Sequence, residues 1–261
     1  MSRTAHKLIS ASGAKGYEVD QSLMFDDGDT AYLHRTPGSA SNRKTFTFSA
    51  WVKRSELGDS ADQMIFSAYG DTSGSDTTFF NIRWARTAFG ASTDALVVNG
   101  WNTNWRVTSR LFRDPSAWYH VVVTVDTTES SADDRIKIYI NGVQETSFAT
   151  NNAITEDADT GVNNTVQHRI GSNNQTGSTR ELNGYLAEVH FIDGTALTPS
   201  SFGETNPATG QWIPKEVTSV TYGTNGFYLK FVSGAIGTDS SGEGNNYTAN
   251  NIVNDDIFLD S

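Results

Sequence analysis

Residues 135–148 read RIKIYI-NG-VQETSF. Ile136, Ile138 and Ile140 occupy alternate positions, so they share one face of an extended chain. Asn141-Gly142 follows at once, and both residue types tolerate the positive φ of a two-residue turn, so the stretch predicts a β-hairpin. Upstream, residues 118–125, WYHVVVTV, form a β-branched run suited to a strand buried on one or both faces. Earlier still, residues 45–54 read TFTFSAWVKR, with Phe46, Phe48, Ala50 and Val52 pointing one way and Thr45, Thr47, Ser49, Trp51 and Lys53 the other. Downstream, residues 182–192 set Tyr185, Ala187, Val189 and Phe191 against Leu186, Glu188, His190 and Ile192, and residues 227–232, FYLKFV, form another strand.

Turn signals punctuate these strands. Asp27-Gly28, Asn99-Gly100, Asn141-Gly142, Asn183-Gly184, Asp193-Gly194 and Asn225-Gly226 each read as a turn. The best helical stretch is residues 198–202, TPSSF, where Thr198 caps, Pro199 takes the first helical position and Phe202 pins the turn against the sheets. Many short strands joined by turns predict an all-β fold, an antiparallel β-sandwich or jelly roll with very little helix. One domain over residues 22–261 is expected, preceded by residues 1–21 as an arm that docks on a neighbouring subunit or as an edge segment. Long polar loops fall at residues 70–77, 127–134, 151–165 and 172–181, where binding residues tend to sit on a rigid sandwich.

Composition excludes several classes. The chain has 261 residues, 11% aromatic, with 30 acidic against 19 basic side chains and a formal net charge of −11. That balance repels phosphate backbones, and Lys and Arg are scattered, so no nucleic-acid partner is expected. Apolar runs are too short to span a bilayer, so no membrane insertion is expected. The start, MSRTAHKLIS, lacks the apolar stretch of a signal peptide. With no cysteine, a disulfide framework and a thiolate metal site are ruled out. Sequons at Asn163, Asn174 and Asn246 read as accidents of composition.

Four segments carry a resemblance. WYHVVVTVD at 118–126, IKIYING at 136–142, HRIG at 168–171 and LNGYLAEV at 182–189 resemble the concanavalin A-like lectin/glucanase superfamily in its laminin G-like branch. FTFSAWVK at 46–53 is similar to its early core strand. The segments 112–128, 191–204, 222–231 and 237–252 are similar to domains of this kind in structural and tail proteins of tailed phages. The resemblance implies a jelly roll; it does not by itself imply a ligand. The DSSGEGN run at 239–245 usually opens such a domain, whereas here it closes the chain, so its strand either completes the sandwich from the other end or serves a partner.

Three sets of residues are candidate sites. Enzymes of the superfamily place two glutamates on one strand for retaining glycoside cleavage. Here Glu188, His190 and Asp193 have the spacing but not the residue types, and Asp193-Gly194 reads as a turn. Asp26, Asp27 and Asp29 put three carboxylates in four residues, a candidate calcium site, as do Glu156, Asp157 and Asp159. Trp101, Asn102, Asn104 and Trp105 bring two indoles together with two amides, the chemistry of a sugar platform: C–H faces stack on the rings while amides match hydroxyls. The alternative is that both indoles fold inward. Trp51, Trp84, Trp118 and Trp212 read as packing residues, and His120 as a packed histidine.

The resulting expectation is a non-enzymatic virion structural protein, a capsid decoration or a tail or fibre module, assembled in the host cytoplasm. Its partners would be other virion proteins and copies of itself, and calcium is the one cofactor considered. The alternative is a carbohydrate-binding receptor module that recognises host surface glycans through many displayed copies.

Overall fold

A computed structural model of the chain describes residues 17–58, 61–69, 78–86, 91–175 and 180–259. In chain order the strands begin with β1 (Gln21–Phe25), β2 (Tyr32–Arg35), β3 (Thr45–Arg54), β4 (Gln63–Tyr69), β5 (Phe80–Trp84) and β6 (Ala95–Gly100). Next come β7 (Thr103–Leu111), β8 (Trp118–Asp126), β9 (Ile136–Ile140), β10 (Val143–Gln144), β11 (Phe148–Asn151) and β12 (Gln167–Ile170). The last are β13 (Gly184–Asp193), β14 (Gly203–Thr205), β15 (Trp212–Pro214), β16 (Phe227–Leu229), β17 (Thr248–Asn250) and β18 (Ile257–Leu259). One sheet runs β10-β9-β8-β3-β13-β1-β18, with β16 also paired to β13; the other runs β11-β7-β6-β5-β4-β12-β2-β17. β14 and β15 form a separate ribbon. Helix is confined, among the described residues, to two 3-10 turns at Pro199–Ser201 and Asn254–Asp256. None is long and apolar enough to cross a membrane. The expected antiparallel sandwich is the observed architecture.

The two sheets meet through phenylalanines at the alternate positions of β3. Phe48 stacks on Phe66 of the opposite sheet at 5.1 Å, and Phe46 meets Phe80 edge-on at 5.2 Å. Phe46, Phe48, Ala50 and Val52 are fully buried. Each such ring contributes about 1.5–3 kcal/mol by leaving water. The other face of β3 is covered as well, for Thr47 and Ser49 are buried and Trp51 packs as expected. The chain beyond β13 folds back over this sheet, where Phe202, Tyr222 and Tyr228 pack on Val122 and Ile192 and Trp212 packs on Trp51 and Ala187, joined there by Val19 from ahead of β1. Phe202 thus pins the Pro199–Ser201 turn as expected. Under this cover the hydroxyls must find partners. Thr47 Oγ1 donates to the Thr195 carbonyl at 2.8 Å, and Ser49 pairs with His120.

Strict alternation also fails in β13. Glu188 takes φ 49°, and the register with β3 shifts between Ala187 and His190, the mark of a β-bulge. Leu186 before the bulge and Val189 and Phe191 after it therefore all face the core. The bulge also divides the strand's other edge. Leu186 pairs with Leu23 of β1, whereas Val189 pairs with Leu229 of β16. The strand expected over 227–232 stops at Leu229, and Phe231 has φ 61°.

The predicted hairpin is present. Asn141 has φ 51° and Gly142 φ 81°, both positive as the tight turn requires. Gly142 is also pressed against Trp212, where a Cβ would stand 2.5 Å from the indole. Asn99-Gly100, by contrast, is not a turn. It ends β6, and the connection to β7 is Trp101-Asn102, with Asn102 at φ 49°. Gly100 answers a packing demand instead: a Cβ there would lie 2.5 Å from the Trp105 ring.

The closing segment is tied down by polar side chains. Asp239 accepts backbone N–H bonds from Tyr228, Ser241 and Asn245, and a hydroxyl bond from Ser241, all within 2.9 Å. Asn245 donates to the carbonyls of Thr224 and Gly226 and accepts from Arg35. Beyond this knot β17 pairs with β2 and β18 with β1, so the closing run supplies an edge strand to each sheet. At the other end, Tyr17 and Val19 pack on this chain's own sheet; residues 1–16 and 70–77 lie outside the described residues.

Gly142→Ala must accept positive φ and displace Trp212. We expect a loss of about 2–4 kcal/mol in urea unfolding. A loss below about 1 kcal/mol would mean that the turn and the indole relax independently.

Candidate functional site

On the outer face of the second sheet a cleft of about 380 Å³ opens where β4, β5, β6 and β7 come together. One wall is aromatic. Tyr69 at the end of β4 packs against Phe79 at 4.9 Å, and Phe79 meets Trp101 edge-on at 5.8 Å. Tyr69 and Phe79 are buried and Trp101 is half-exposed, so Trp101 presents the ring surface to solvent.

The other wall is built on Arg83. It lies on the outward side of β5, whose Phe80, Ile82 and Trp84 face the core. Its guanidinium is spent inward: one nitrogen bonds Asp62 at 2.5 Å, Nε bonds Asn99 Oδ1 at 3.0 Å, and the third nitrogen bonds Asn104 Oδ1 at 3.3 Å. Arg83 is 2% exposed and Asp62 1%. With both amide oxygens drawn to one cation, the amide nitrogens of Asn99 and Asn104 turn away from it. The cleft is completed by Asn102 and Thr103 at the β6–β7 turn and by Gln175 and Arg180. The arrangement sets an apolar ring surface opposite oriented amides. That can hold a polyhydroxylated ligand.

The structure divides the expected sugar platform. Trp101, Asn102 and Asn104 line the cleft; Trp105 does not, because its ring packs inward on the inter-sheet core near Phe80. The residues missed were Tyr69, Phe79, Arg83, Asn99, Gln175 and Arg180. A signal existed in FNIRW at β5, where Asn81 and Arg83 alternate with three large apolar residues. A cation at such a position, flanked by core, is buried and must be paired.

The carboxylates expected to hold calcium are not gathered into a ligand set. Asp26 Oδ1 accepts the Gly28 N–H at 2.8 Å, and Asp27 Oδ1 accepts from Asn183 at 2.7 Å. Glu156, Asp157 and Asp159 each face their own cation: Arg135, Lys44 and Arg43. Among the described residues no group of three or more His, Cys, Asp or Glu side chains is placed to hold a metal ion.

The glucanase-spaced residues are built into the scaffold. Glu188 is 7% exposed at the bulge and accepts hydrogen bonds from Tyr17 at 2.8 Å and Tyr228 at 2.6 Å. His190 stacks on Tyr228 at 4.0 Å and bonds Tyr222 at 2.8 Å. Asp193 accepts from Asn163 and from the Asn225 backbone. Ser49 and His120 also form a close pair, 2.9 Å apart, but the tautomer is wrong for catalysis. Trp212 Nε1 donates to His120 Nδ1 at 3.0 Å, and indole is donor only, so the ring proton sits on Nε2 and points at Ser49. Such a histidine cannot take the serine proton.

A sequence model of the laminin G-like family described as the concanavalin A-like lectin/glucanases superfamily matches residues 26–201. The chain belongs to that superfamily. No curated protein matches it by sequence. Among solved structures, this concanavalin A-like chain is similar to a candidate carbohydrate-binding protein from Bacteroides ovatus. Identity is 19% and the TM-score 0.56, over 92% of this chain and 60% of that protein's length. It is also similar to the SAP-like pentraxin of Limulus polyphemus, at 15% identity over 92% of this chain and 94% of that one, TM-score 0.48. A further match is the CBM40 module of the Ruminococcus gnavus IT-sialidase, at 12% identity over 72% and 94%, TM-score 0.44. The first likeness concerns the fold. The concanavalin A-like match ends at residue 201, so the segment covering the outer face of the first sheet lies beyond it.

Two outcomes are expected of this concanavalin A-like scaffold. Asp62→Ala leaves Arg83 buried without its partner, and urea unfolding should show a loss of about 3–5 kcal/mol. Acid should also weaken the fold. Burial, with the neighbouring His190, pushes His120 down to about 3, and burial pushes His168 down to about 4 against a bond to the Val166 carbonyl. The unfolded chain protonates both near 6.5, so stability falls as pH drops from about 6.5 towards 4. Imidazole NMR shifts at pH 5 should report both rings neutral in the folded protein.

Proposed function

We propose that this protein is a non-catalytic carbohydrate-binding module whose ligand lies in the cleft between Trp101 and the Asn99–Asn104 pair. The observation that carries this reading is the meeting of an aromatic wall with two amides aimed by one buried arginine. Sugars need both: a ring face for their C–H groups and planar amides for adjacent hydroxyls. Carbohydrate binding is also the assignment of the Bacteroides ovatus relative, an analogy at the level of fold. The engagement of Glu188 and Asp193 in structural hydrogen bonds, and the His120 tautomer, support the non-catalytic side of this reading.

Trp101→Ala tests it. On a glycan array the substitution should remove, or weaken at least about tenfold, binding to at least one glycan that the wild type holds, while Tm stays within about 2 °C. Unchanged binding to every such glycan, or oligosaccharide shortened by the wild-type protein, would defeat the reading.

The proposed place of display is the surface of a tailed-phage particle, where many weak copies act together. It rests on the likeness of the segments 191–204, 222–231 and 237–252 to phage structural domains. In this structure 191–204 and 222–231 supply the end of β13, its β16 partner and cover for the first sheet, while 237–252 carries β17 onto the second sheet. Antibody labelling of particles should decorate heads or tails; unlabelled particles in a lysate rich in the protein would remove the proposal.

A further inference from the structure

A second cleft, of about 510 Å³, lies on the opposite side of the sandwich, between the β14–β15 ribbon, the start of β8 and the Asn141-Gly142 turn. Trp51 is its floor, stacked on His120 at 4.9 Å and only 4% exposed. Trp212 is a fixed wall, held by its bond to His120 and by Gly142 and Gly203, whose missing Cβ atoms leave room for its ring. Trp118 is half-buried beside them, and its indole N–H is buried without an acceptor. Asn141 and Gln211 bring amides to the rim, and Val143, 70% exposed, stands at its edge.

Among the described residues not one that lines this cleft is charged, although the chain carries 49 charged side chains and a net charge of −11. A charged ligand finds no counter-ion among them, and a purely apolar one leaves the amide N–H groups of Asn141 and Gln211 unmatched. We infer that this cleft is a second carbohydrate site, selective for uncharged glycans, with Trp118 as stacking surface. It shares only its ligand class with the site proposed above. No side chain is common to the two, and they lie on opposite sheets, so a module with both sites filled can bridge two polysaccharide chains.

Val143→Glu places a carboxylate at the rim from an exposed position, and Trp118→Phe shrinks the stacking ring. Affinity electrophoresis in gels containing laminarin, glucomannan or hydroxyethylcellulose reads both, each variant made in the wild-type and in the Trp101→Ala background. The expected result is that Trp101→Ala still slows in at least one neutral gel. Adding Val143→Glu should then weaken that retardation at least about tenfold, with circular dichroism unchanged. Trp118→Phe should weaken it with Tm preserved. If Trp101→Ala alone abolishes retardation in every neutral gel, or Val143→Glu changes nothing, the second site is refuted while the first stands. If Val143→Glu abolishes retardation and Trp101→Ala has no effect, the first site fails and this one stands. Retention by a proline-rich peptide resin, with no neutral glycan bound, would assign the cleft to a peptide and overturn the proposal.

Discussion

The phenylalanine seam between the two sheets is the constraint from which the rest follows. Phe46 and Phe48 of β3 must meet Phe80 and Phe66 across the interior, which fixes how the sheets stack and which face of every strand points outward. The outward faces then have different fates. On the first sheet the late segment lays Phe202, Tyr222, Tyr228 and Trp212 over the strands, so polar groups there are buried and mutually bonded. On the second sheet the outward positions of β5 and β6 carry Arg83 and Asn99 and line an open cleft. The same residue types are thus buried under cover on one sheet and line an open cleft on the other.

Polar groups decide the details that apolar packing leaves degenerate. The Arg83–Asp62 pair and the Arg54–Asp94 pair, the latter at 2.9 Å, sit almost wholly out of water. Such pairs add little net stability, yet they penalise any register that separates them. Asp239 does the same for the closing segment, gathering the backbone N–H groups of Tyr228, Ser241 and Asn245. The cleft shares this fixing, since Asn99 and Asn104 are oriented by the buried guanidinium of Arg83.

Much of the fold was legible in residues 45–54, 118–125 and 135–148, where period-two patterning and an Asn-Gly turn act locally. What was illegible had non-local causes. The burial of Thr47 and Ser49 on the outer face of β3 was not foreseen because nothing near them in sequence announces the cover formed by residues beyond 200. The inward set of β13 was misassigned because one bulged residue, Glu188, shifts the alternation, and a glutamate gives no local warning of positive φ. Asn99-Gly100 looked like a turn because glycine serves two purposes, positive φ and close packing, and here Trp105 demanded the second. At the site, Trp101, Asn102 and Asn104 were legible as a cluster in sequence. Arg83 and Phe79 come from a different strand, and only the sheet order brings them alongside.

The edge strands supplied by the end of the chain have a kinetic consequence. Asn250 pairs with Tyr32 and Leu259 with Gln21, so each sheet is completed by a strand that follows all its other strands in sequence. Pairings of such long sequence separation carry the loop-closure entropy that slows folding of β topologies. During synthesis the β1 and β2 edges must wait unpaired until residues 248–259 emerge, a period when neighbouring nascent chains on one message could exchange strands. Emergence of β17 and β18 is therefore the event that commits each molecule to closing on itself.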